Sequence, residues 1–131
     1  MIMVTPPNED GKVSTGVSGD YTVEAVKKAK IVIAQVNDQV PFTYGDAVFD
    51  VQEIDAFVEA NHSLPTLPDA VIGETESLIG KHCAELIHDG DCLQLGIGSI
   101  PDAVCHELIH KKHLGIHSEM LGDGIVKLYE E

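Results

Sequence analysis

Residues 30–36 carry Ile31, Val32, Ile33, Ala34 and Val36 with almost no polar interruption. A β-branched run of this kind is the pattern of a strand buried on both faces of a parallel sheet, so it is expected to be a central strand. Just before it, residues 21–29 place Val23, Ala25, Val26 and Ala29 on one helical face, with Lys27 and Lys28 outside. That spacing predicts a short amphipathic helix feeding the strand, with Asp20 as its N-cap. Met1, Ile2, Met3 and Val4 run at once into Thr5, Pro6 and Pro7, as an interior strand meeting its turn would, and truncation at the N-terminus is the expectation. After the central strand, Asn37, Asp38, Gln39, Pro41 and Gly45 break regular structure. Residues 48–58 alternate well enough to be strand material.

Residues 63–69 hold Pro65 and Pro68 and little periodicity, the composition of an extended connection between domains. From Ile72 the pattern turns helical: Ile72, Ile79, Cys83, Leu86 and Ile87 recur at spacings of three, four and seven, and Asp89-Gly90 is a stop. Residues 92–95 then read as a short apolar strand, 96–99 as a glycine turn, and 101–110 as a helix with proline in its first turn. Residues 114–117 form another strand, and an amphipathic stretch follows at 125–131. This is a β-turn-α-β order, a parallel unit. The expected class is α/β. Residues 1–62 form the end of one domain, 63–71 a linker, and 72–131 the first β-α-β unit of a second. Both ends are expected to be truncated.

Charge narrows the classes of partner. The 131 residues carry eight Lys+Arg against 22 Asp+Glu, a net charge of −14, at 44% hydrophobic and mean hydropathy +0.05. So negative a field repels nucleic-acid backbones and anionic membranes, and neither is an expected partner. It also opposes an anionic ligand, so a phosphate site would rely on backbone dipoles or on lysines from elsewhere. Cys83, Cys92 and Cys105 form an odd set without a C-x-x-C pair, each in an apolar segment. Reduced, buried thiols in a cytoplasmic protein are the expectation. No stretch approaches about 18 uninterrupted apolar residues, and residues 1–5 lack a charged leader with an apolar core.

Two places can carry chemistry. Gly96-Ile97-Gly98-Ser99-Ile100-Pro101 sets two glycines where a strand passes into a helix, so the backbone can approach a ligand and aim N–H groups at negative charge. A tight βα turn without a ligand is the plainer alternative. Pro101 stands where the dinucleotide fingerprint needs its third glycine, which argues against a Rossmann site. The following strand ends His117-Ser118-Glu119-Met120, then Leu121-Gly122-Asp123-Gly124. Ligands of open parallel sheets lie beyond the carboxyl ends of the strands, where both the turn and Glu119 fall. A competing motif, His106-Glu107-Leu108-Ile109-His110, matches H-E-x-x-H on the expected helix, where two histidines one turn apart can share zinc. The glycine of its extended form is replaced by His113. The helix is expected to bury Val104, Cys105, Leu108 and Ile109 and to leave His106 and His110 outside, so no metal site is assigned.

Ile33-Ala34-Gln35-Val36-Asn37, the run from Leu93 to Val104, and Lys112-His113-Leu114-Gly115-Ile116-His117-Ser118-Glu119-Met120 together resemble the acetyl-CoA hydrolase/transferase family, which includes 4-hydroxybutyrate and butyryl-CoA:acetate CoA-transferases. The likeness covers nearly the whole chain. It rests on a combination: a G-x-G-x-x-P turn and, 21 positions after Gly98, a strand ending in Ser-Glu. The wider CoA-transferase group resembles Ser-Glu-Asn-Gly at this second motif. Met120 replaces the Asn here, although Asp123-Gly124 follows.

The resemblance implies that Glu119 attacks an acyl-CoA thioester and passes through a mixed anhydride to a glutamyl-CoA thioester, from which a second carboxylate takes the CoA. Gly98 would offer its N–H to the thioester oxygen, and Gly96, Ile97, Gly98, Ser99 and Ile100 would line the CoA site. Gln35, Asn37 and the Val40-Pro41 turn resemble a loop facing the acyl pocket. The plainer reading is polar residues satisfying a turn. Phe42 stands where some relatives carry a basic residue. Coenzyme A is then a substrate and no resident cofactor is expected. The partners would be an acyl-CoA and a short-chain carboxylate (acetate, butyrate or 4-hydroxybutyrate), and the longer parent a homo-oligomer. A thioester hydrolase stays open as a near neighbour, and a non-catalytic acyl-CoA-binding module as a different class.

Overall fold

The computed structural model describes residues 1–130, and the chain divides into two compact units, Met1–Thr66 and Leu67–Glu131. The first unit is built on a three-stranded parallel sheet in which β1 (Ile2–Val4) and a later strand, Ala56–Glu59, flank Ile33–Val36. Between β1 and the central strand come β2 (Lys12–Ser14) and α1 (Tyr21–Lys28). Asp20 begins α1 by accepting the Thr22 N–H at 2.9 Å and the Thr22 hydroxyl at 2.7 Å, which satisfies a donor that has no intrahelical partner. Val23 and Val26 of α1 pack with Val4, Val13, Val32, Ala34, Phe49 and Ile54 in one core.

Ile33–Val36, now β3, is central as its composition predicts, but it is not covered on both faces. Ala34 is buried while Ile31 is 67% and Ile33 38% exposed, because successive side chains point to opposite faces and this chain lays its core on one of them. Residues 48–58 are likewise not one strand. β4 (Val48–Asp50) pairs antiparallel with β2, a 3₁₀ turn follows at Val51–Glu53, and β5 (Ala56–Glu59) then joins β3 in parallel. A capping box makes that break: Asp50 accepts the Gln52 N–H at 3.0 Å and Glu53 accepts the Asp50 N–H at 2.8 Å. The strand β2 has no counterpart in the sequence reading, since three residues are too few for alternation to register.

No helix or strand occupies residues 60–73. In the second unit, α2 (Glu74–Glu85) opens where Glu76 accepts the Gly73 N–H at 3.0 Å. β6 (Cys92–Leu93) and β7 (Gly115–Ile116) pair in parallel, and α3 (Ser99–Glu107) lies between them in the chain. The β-turn-α-β order stands, with strands of two residues instead of four. α4 (Asp123–Glu130) starts two residues earlier than the expected stretch 125–131, of which Glu131 lies outside the described residues. Ala84, Val104 and Leu108 form the core, joined by Cys83, Ile87, Leu93, Leu95, Leu114 and Leu128.

Two glycines let neighbours approach α3 closely. A Cβ on Gly80 of α2 would stand 2.7 Å from the Ala103 carbonyl oxygen, and one on Gly124 of α4 would stand 3.1 Å from Cys105 Cβ. Of the three cysteines only Cys105 is buried; Cys83 is half-buried and Cys92 exposed, which corrects the expectation of three buried thiols. Ile109 is 50% exposed, not buried, because α3 has already ended at Glu107. Among the described residues no helix is long and apolar enough to cross a membrane.

Candidate active site

Past their short ladder, β6 and β7 stay side by side through two further contacts. The His117 N–H donates to the Leu93 carbonyl at 2.9 Å, and the Ser118 hydroxyl donates to the Leu95 carbonyl at 2.7 Å. Beyond the carboxyl ends of the parallel pair, one strand leads into the Gly96 turn and the other toward Glu119. Gly98 has φ 121 and ψ −178, a region open essentially to glycine alone. A Cβ there would meet nothing within 4 Å, so the requirement is conformational. The Gly98 carbonyl accepts the Asp102 N–H at 3.1 Å, and among the described residues its own N–H has no acceptor. With the first amides of α3 it forms a partly positive, donor-rich end. Ile97 and Ile100 are 42% and 46% exposed beside it, and Ser99 is half-buried.

Glu119 is exposed and has no hydrogen bond or ion pair among the described residues. The loop after it returns to the same element. A Cβ on Gly122 would lie 3.6 Å from Ile97 Cγ2 and 3.7 Å from Asp102 Oδ1, and one on Gly124 would lie 2.8 Å from Asp102 Oδ1. Glu119 therefore sits on a short loop held at both ends, at Ser118 by the Leu95 carbonyl just before the glycine turn and at Gly122 against Ile97 and Asp102. Burial pushes the Cys105 thiol above its ordinary pKa, helped by the Asp102 carboxylate, so this cysteine stays protonated and is not a nucleophile.

In the first unit, Gln35 and Asn37 both converge on His62, a residue the sequence reading did not single out. Asn37 is fully buried. Its amide donates to the His62 carbonyl at 2.9 Å and its side-chain oxygen accepts the Gln39 N–H at 3.0 Å. Gln35 Nε2 meets His62 Nε2 at 2.7 Å while His62 Nδ1 meets the Ser63 carbonyl at 3.1 Å. A carbonyl can only accept, so Nδ1 carries the proton and Nε2 accepts from Gln35. Phe42 packs against Tyr44, ring centroids 5.4 Å apart. An open groove of about 510 Å³ runs past the carboxyl ends of β1, β3 and β5, with Pro6, Val36, Phe57, Asp38 and Glu59 in its lining and no lysine.

The H-E-x-x-H pattern loses its helical basis. α3 ends at Glu107, so His110 falls in the turn beyond and the two histidines do not share one helical face. Both are exposed, and among the described residues no three His, Cys, Asp or Glu side chains gather as a ligand set would.

Residues 1–68 match the acetyl-CoA hydrolase/transferase N-terminal domain. The chain belongs to the acetyl-CoA hydrolase/transferase family. It is 52% identical over 128 residues to the 4-hydroxybutyrate coenzyme A transferase of Clostridium kluyveri, covering 98% of this chain and 30% of that protein. It is 46% identical over 126 residues to the succinyl-CoA:cyclohexane-1-carboxylate CoA transferase of Geobacter metallireducens, covering 96% and 29%. The crystal structure of 4-hydroxybutyrate CoA-transferase from Porphyromonas gingivalis superposes with a TM-score of 0.92 at 42% identity, over 98% of this chain and 33% of that one. The chain thus spans about 30% of the length of the curated relatives it matches.

Membership in the acetyl-CoA hydrolase/transferase family gives the two strand-end features a common context. The sequence places Glu119 and Gly98 each at the end of a strand of one parallel unit. What it leaves out is Ser118, whose partner carbonyl lies 23 residues away. Likewise the use of Asn37 depends on His62, 25 residues on. A Ser-Glu pair at a strand end is the one signal that could have drawn attention to the serine.

Proposed function

We infer that this chain is part of a CoA-transferase that moves CoA between a short-chain acyl-CoA and a carboxylate, with Glu119 as the acyl-accepting group. The observation that supports the reading is an exposed, unpaired carboxylate following one strand of a parallel pair whose other strand leads into the unengaged Gly98 amide. In this reading Glu119 attacks the thioester carbonyl carbon and the C–S bond breaks, giving an acyl-glutamyl anhydride and CoA thiolate. The thiolate attacks the glutamyl carbonyl, releasing the first carboxylate and leaving a glutamyl-CoA thioester. The accepting carboxylate then reverses the two steps and regenerates Glu119. A carboxylate suits this role because the acyl group passes through an anhydride comparable in energy to the thioester. The Gly98 N–H would meet the oxygen on which negative charge develops, with no side chain to shield it. Gly96, Ile97, Ser99 and Ile100 would face the CoA thiol end.

Trapping with borohydride or hydroxylamine after mixing the full-length protein with acyl-CoA tests this. The peptide containing Glu119 should carry the adduct, and Glu119→Gln should lower turnover by about 10³-fold or more. An unmodified Glu119 in active enzyme, or a fully active Glu119→Gln variant, overturns it. Dependence of turnover on added acetate separates transfer from hydrolysis.

A further inference from the structure

We propose that Ser118 is a positioning residue for Glu119, acting by ending the β7 ladder one residue before it. The proposal rests on Glu119 being the nucleophile. The Gly115 N–H donates to the Asp91 carbonyl at 2.8 Å and the His117 N–H to the Leu93 carbonyl at 2.9 Å. Parallel pairing repeats every two residues on each strand, so the next rung would join the Glu119 N–H to the Leu95 carbonyl. That bond is not made among the described residues. The Leu95 carbonyl instead accepts the Ser118 hydroxyl at 2.7 Å. A side-chain donor thereby takes the acceptor that would have drawn Glu119 into extended backbone.

Two consequences follow. The strands remain tied at the edge of the glycine turn, so the turn and the loop bearing Glu119 keep one spacing. Glu119 is also free of the ladder, and the chain bends at once toward Gly122, where it rests on Ile97 and Asp102. With alanine at 118 the Leu95 carbonyl loses its partner and the Glu119 N–H is the nearest donor in register. One more rung would put the Glu119 side chain on the same face as that of His117, away from the bend. The half-buried Ser118 fills little space, so the loss is one of direction and not of packing.

The experiment is steady-state kinetics and adduct trapping on the full-length protein carrying Ser118→Ala, Ser118→Thr and, as control, Glu119→Gln. Ser118→Ala should lower kcat by about 100-fold, the order expected for a misplacement near 1 Å. KM for acyl-CoA and the melting temperature should stay close to wild type, and adduct formation should slow in step with kcat. Ser118→Thr, which keeps the hydroxyl, should restore most of the rate. Wild-type kcat in Ser118→Ala, with Glu119→Gln inactive, overturns the role of Ser118 and leaves the nucleophile standing. Parallel losses of kcat, KM and melting temperature that threonine does not rescue show a purely structural residue and also overturn it. A fully active Glu119→Gln with no adduct in wild type removes the nucleophile and this proposal with it.

Discussion

Asp20 does its work over two residues of chain. Its carboxylate lies below its ordinary pKa of 3.8, first because it accepts the Thr22 hydroxyl and then the Thr22 N–H. A depressed carboxylate pKa means stability that is fully present above the unfolded value and lost as pH falls through the lower folded value. The window therefore opens near pH 4 and extends downward. Asp20→Ala should lower the melting temperature at pH 7, whereas Asp20→Asn keeps an acceptor and should lose less. The gap between wild type and Asp20→Asn should close as the pH is taken from 5 to 3 in a thermal-melt series, and a constant gap would contradict the cap. Asp20 was legible from sequence because a cap and its donor lie within one turn. Position 119 was legible as lying just past a strand for the same local reason. The function of Ser118 was not, since only the register of β6 against β7 brings Leu95 beside it.

The order of elements in the second unit followed from apolar spacing, but their lengths and closeness depend on neighbours. α3 shows why. Gly80 lies in the interior of α2, where alanine would favour the helix by about 1 kcal/mol. Its Cβ would stand 2.7 Å from the Ala103 carbonyl oxygen and 2.9 Å from the carbonyl carbon. Backbone atoms cannot rotate away, so α2 must move off α3, and overpacking of this kind costs about 1–3 kcal/mol. The clash wins. Gly80→Ala should lower the urea midpoint with an unchanged slope, and a raised midpoint would show that α2 and α3 do not approach so closely. The split of residues 48–58 was hidden for a related reason. Alternation runs through β4 and β5, and only the Asp50–Glu53 capping box and two different partner strands separate them.

The whole chain carries −14, and the acetyl-CoA hydrolase/transferase family to which it belongs is named for an anionic thioester. In the proposed reading, backbone amides at the start of α3 would be the local counterweight within this chain. Among the described residues no backbone N–H of residues 63–72 has a protein acceptor, and Leu67 and Val71 are 73% and 88% exposed. A broad-specificity protease at low dose should therefore cut first between residues 63 and 73, leaving two pieces of near-equal size by mass spectrometry. A first cut inside either unit would argue against a division there. The sequence by itself determined what short-range chemistry writes: the capped helix α1, the central place of β3, the glycine turn ahead of α3, and a carboxylate at the end of the next strand. Tertiary structure alone decided which face of β3 the core covers, that β2 and β4 pair, that Asn37 is spent on His62, and that a serine hydroxyl stops a ladder to release Glu119. Periodicity and caps act within a turn or a pleat. The second group of features needs atoms more than twenty residues apart to meet, and nothing in local spacing states which ones will.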